Sequence, residues 1–138
     1  MALHALTDPM SPGLNRLLLH DHPSAPLTAI ELSSLNVPDA ELAYLSACAT
    51  ARSNETLADE AVHIATAFQL GGYHHVVGTL WPVADNAAGR IADDFYTALA
   101  HSLNASHPTR ALHQAVRSLR ADAPTKPSHW AAHIHFGY

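Results

Sequence analysis

The chain has one cysteine in 138 residues, so no disulfide can form within it. A lone thiol fits a reducing compartment, and it is either a small buried hydrophobe or a reactive group. Basic residues are also scarce, seven against twelve acidic, for a formal net charge of -5. No basic run occurs, which removes the electrostatic footprint of a nucleic-acid binder. No apolar run approaches the ~18 residues of a membrane span. Met1-Ala2-Leu3-His4 also lacks the basic leader of a secretion signal. Nucleic acid and membranes are thus not expected as partners, and a cytoplasmic location is.

What remains is a composition of 48% hydrophobic and 14% charged residues, that of one globular domain over residues 1–138. Histidine is the excess, with twelve residues. The local clusters are His20-Asp21-His22, His74-His75 and His133-Ile134-His135. Pairs one or two apart lack the i, i+4 helical geometry of a zinc pair, and one cysteine excludes Cys-rich sites. No metal is expected, and His133 and His135 read as solvated strand residues.

The chain is organised around Glu41–Thr50. Leu42, Tyr44 and Leu45 form a short buried strand, and Ser46–Thr50 is a small-residue turn that presents Cys48 at the strand's C-terminal end. In open α/β sheets that end carries the ligand crevice. Before it, Pro9, Pro12, Pro23 and Pro26 leave room only for a short strand at about 16 to 20. Thr28 with Glu31 makes a capping box for a short helix. After it, Thr56–Asp59 opens a helix whose apolar stripe is Leu57, Ala61, Ile64 and Phe68, closed by Gly71-Gly72. His75–Leu80 is a second strand, so the unit is βαβ with parallel strands.

Trp81-Pro82 ends that strand. Asp85 is placed as the N-cap of a helix with the stripe Ala88, Ala92, Phe95 and Leu99. Another helix starts near Pro108, buries Leu112, Ala115, Val116 and Leu119, and breaks between Asp122 and Pro127. Trp130–Phe136 alternates as a last strand. A cysteine nucleophile acts as thiolate and needs a neighbouring base, usually histidine. Spacing does not choose among twelve, but His4 precedes the Pro-rich connection whose turn leads back to the central strand.

Several stretches together carry a family likeness. They are Leu-Ser-Ala-Cys-x-Thr after a strand, a helix ending Ala-Phe-Gln-Leu-Gly-Gly, Val-Val-Gly-Thr-Leu-Trp-Pro-Val, Phe95-Tyr96 and Trp130-Ala131-Ala132. In this order, with His4-Ala5-Leu6-Thr7-Asp8-Pro9 ahead of them, the chain resembles the CHAT family of caspase-like cysteine peptidases. The resemblance implies a caspase-like three-layer α/β fold with a mainly parallel sheet. It also implies a Cys48–His4 dyad that hydrolyses peptide bonds without a cofactor, and an oxyanion held by backbone N–H groups near Ala5 and Cys48. Ala5 stands where the family has glycine, which would cost about 1 kcal/mol if that position needs a positive φ.

Around this pair, Asp8 shapes the turn or supports the site. Trp81 walls a pocket or ends a strand in the core, and Asp85 caps a helix or supplies a specificity carboxylate. Because the chain starts three residues before His4, it is expected to be the C-terminal part of a longer domain. The strand carrying His4 and the pairs before it would then be absent, leaving an apolar sheet edge exposed. The expected partner is a polypeptide substrate or a regulatory protein. The alternatives are a non-catalytic interaction module that binds through the exposed edge and a thiol hydrolase of another α/β fold.

Overall fold

The computed structural model describes residues 2–6, 16–18, 27–47, 57–101 and 107–137. The arrangement is mixed α/β, and its clearest local instruction is Gly71-Gly72. Helix α2 (Leu57–Leu70) ends there, and Gly72 has φ +112°. The Gly72 N–H donates to the Gln69 carbonyl and the Tyr73 N–H to the Phe68 carbonyl, both at 3.1 Å. These are the paired bonds of a Schellman stop, and its accompanying apolar contact is present as well. The Tyr73 ring meets that of Phe68 edge-on at 5.1 Å.

Neither glycine has room for a side chain. A Cβ on Gly71 would lie 2.5 Å from the Leu32 carbonyl oxygen, and one on Gly72 would lie 2.8 Å from that of Val37. Gly72→Ala is therefore expected to destabilise the protein by roughly 2 kcal/mol or more, since the positive φ and the crowding each cost about 1 kcal/mol or more. Urea unfolding checks this, and an unchanged midpoint would refute it.

Helix α2 is the crossover of a parallel pair. Strand β4 (Leu42–Tyr44) lies beside β6 (His75–Thr79) with Leu42 opposite His75 and Tyr44 opposite Val77. Strand β7 (His133–Gly137) flanks β6 on its other side, giving the order β4-β6-β7. After one residue, Leu45, whose N–H donates to the Val77 carbonyl at 2.7 Å, the same run becomes β5 (Ser46–Ala47). Strand β5 changes neighbour and pairs in parallel with β1 (Ala2–Leu6), Ala2 opposite Ser46 and Leu3 opposite Ala47.

Strand β1 also pairs antiparallel with β2 (Arg16–Leu18), and β2 with β3 (Leu27–Thr28), giving the order β3-β2-β1-β5. Two expectations are corrected here. The strand carrying His4 is present as β1, and it covers the flank of β5 that was expected to be an open edge. Ala-Leu-His-Ala-Leu has no β-branched or aromatic residue to announce a strand, so its state comes from its two neighbours. Strand β3, at Leu27–Thr28, was not expected from the sequence.

Contacts divide the chain into two compact units, Met1–Pro82 with Phe136–Tyr138, and Val83–His135. In the first, helix α1 (Ala29–Ser33) begins at the expected capping box. The Glu31 N–H donates to Thr28 Oγ1 at 3.2 Å, and the Thr28 N–H donates to Glu31 Oε2 at 2.8 Å. The Thr28 N–H, and after it the Thr28 hydroxyl, which donates to Glu31 Oε2 at 2.9 Å, hold the Glu31 carboxyl below its usual pKa. Ala29 and Leu32 of α1, Ala43 and Val76 of the strands, Leu45 between β4 and β5, and Ile64, Ala65, Ala67 and Phe68 of α2 form the core.

The second unit is built on α3 (Asp85–His101) and α4 (Pro108–Asp122). The buried line on α3 is Ala87, Ile91 and Phe95, one position back from the expected Ala88 and Ala92, which with Leu99 are half-buried. Asp85 is the first helical residue, not the cap; the Ala84 carbonyl accepts from the Ala87 and Ala88 N–H groups at 2.9 Å. On α4 the buried residues are Pro108, Ala111, Leu112, Ala115 and Leu119, with the expected Val116 half-buried. The Arg90–Asp122 ion pair joins the two helices. Both partners are exposed, so it adds little to stability.

Trp130 corrects the last strand. It closes a short helix, α5 (Pro127–Trp130), instead of opening β7. Its Nε1–H donates to the Ala123 carbonyl at 3.1 Å, and the Arg120 guanidinium stands 5.2 Å from its ring. These contacts fix the indole against the end of α4, and the strand starts only at His133. No helix among the described residues is long and apolar enough to cross a membrane.

Candidate active site

Strand β1 is parallel to β5 and β4 is parallel to β6, while β4 and β5 are one run of chain. All three therefore end on the same side of the sheet, at Leu6, Ala47 and Thr79. That is the side on which α/β proteins place their crevice. The candidates are Cys48, one residue beyond β5, Asp8, two beyond β1, and Trp81, two beyond β6. Cys48 and Asp8 lie outside the described residues. Trp81 is half-buried.

His4 sits inside β1, opposite Leu18 of β2 and one residue past the Leu3–Ala47 rung with β5. Its strand is thus held on both sides, and the histidine is not on a frayed end. Ala5 is a strand residue opposite Leu17. Extended backbone accepts alanine as readily as glycine, so the expected strain at this position does not arise. The signal that was missed for this region is the pairing itself, which no local pattern encodes.

The remaining candidates fall in the second unit. Asp85 is exposed in the first turn of α3. His133 differs from the solvated residue expected. Its Nδ1 is buried without a hydrogen-bond partner, and burial lowers its pKa from 6.5 to about 4, so the ring is neutral at pH 7. His135 is half-buried, with Nδ1 3.3 Å from Thr109 Oγ1. Among the described residues no group of three or more His, Cys, Asp and Glu side chains could hold a metal ion.

The depressed pKa of His133 has a consequence for stability. The unfolded chain binds the proton near pH 6.5 and the folded chain only near pH 4. The contribution is whole above pH 6.5 and lost as the pH falls toward about 4, by up to about 1.4 kcal/mol per pH unit. Urea unfolding at pH 7, 6 and 5 is expected to show a flatter profile for His133→Leu than for the unsubstituted protein. Identical slopes would count against the burial.

Comparison with known proteins supplies what geometry alone does not. No curated protein matches the sequence. The CHAT domain profile matches it over residues 1–138, its whole length. The chain therefore belongs to the CHAT domain family, whose theme is that of the caspase-like peptidases.

Proposed function

We propose that this is a caspase-like cysteine endopeptidase domain in which Cys48 is the nucleophile and His4 its base. The observation that carries the proposal is the parallel rung between Leu3 and Ala47. His4 follows Leu3 on β1, and Cys48 follows Ala47 in the sequence. With neighbouring strands about 4.8 Å apart and one covalent step of about 3.8 Å on each side, their Cα atoms are separated by no more than roughly 12 Å. A base must come within hydrogen-bond reach of its nucleophile, and this bound allows it.

In the proposed reaction the imidazole takes the thiol proton as sulfur attacks the scissile carbonyl. The tetrahedral oxyanion is held by backbone N–H groups near Ala5 and Cys48. Collapse to a thioester expels the amine, which receives the proton from the imidazolium, and water then releases the acid by the reverse proton path. No cofactor takes part. The substrate is a polypeptide in extended form, with Trp81 at the same strand ends as a pocket wall. A reduced thiol suits a cytoplasmic setting.

Incubation with an electrophilic peptide probe at pH 7 tests this. One equivalent should attach, map to Cys48 by mass spectrometry, and be lost in Cys48→Ala. A folded protein that takes up no probe would favour a non-catalytic module instead. The observation behind that second reading is that β3 and β7 each lie at one end of their sheets among the described residues, which leaves edges for a regulatory protein's strand to join.

A further inference from the structure

We draw no further inference here: the strongest candidate, the shallow groove of about 220 Å³ between α1 and α2 where Ile30 and Leu70 stand exposed, is an apolar face for which nothing in the structure shows what covers it.

Discussion

His4→Ala is expected to lower kcat/KM for a peptide substrate by about 10²–10⁴-fold, the range typical of a lost general base. The far-UV circular dichroism should not change, because β1 is already alanine- and leucine-rich and its ladder bonds come from the backbone. His4→Gln, which keeps bulk and polarity without a titrating ring, should lose the same amount. Both variants should still react with a strong thiol reagent at high pH, where the cysteine ionises unaided. Retention of full activity in either folded variant would sink the dyad.

Phe95→Ala should destabilise the second unit by about 3–5 kcal/mol, the usual cost of deleting a buried aromatic and leaving part of its volume empty. Phe95 is 0% exposed and is the largest fully buried side chain described, on the line with Ala87 and Ile91. Against a total stability of about 5–15 kcal/mol, that loss is severe. Its neighbour Tyr96 meets the Phe95 ring edge-on at 5.2 Å but is 49% exposed, so Tyr96→Ala is expected to cost much less. Urea unfolding followed by tryptophan fluorescence distinguishes the two, and a shift for Phe95→Ala no greater than for Tyr96→Ala would contradict this account.

The βαβ unit and the short helix before it could be read from sequence because their instructions are local. Thr28 and Glu31 cap one helix, Gly71-Gly72 stops another, and Val76-Val77 lies in a strand of matching preference. The strand of His4 and the helical turn at Trp130 could not, because each is decided by partners outside its own stretch, β2 and β5 for one and the Ala123 carbonyl, seven residues back, for the other. The one-position error on α3 has a plainer origin. Alanines at 87, 88 and 92 look alike in a periodic pattern, and only packing separates Ala87, which is buried, from its half-buried neighbours.

The candidate dyad divides the same way. Cys48 was conspicuous as the only thiol, at the end of an apolar run. His4 could be chosen among twelve histidines only by a weak argument from loop direction and by likeness to a family. The pairing that supports it joins residues far apart in sequence.

The run from Leu42 to Ala47 hydrogen-bonds to β6 with its first half and to β1 with its second. Two ladders thus share one ruler. A slip of one residue that satisfied β6 would break the rungs with β1 and turn the buried Ala43 and Leu45 to the opposite face. It would also move the position of Cys48 by about 3.3 Å along the strand axis, further than a hydrogen bond can stretch. Misaligned chains would therefore lack the proposed dyad as well as the correct core, so the proposed activity and the native register would be gained or lost together.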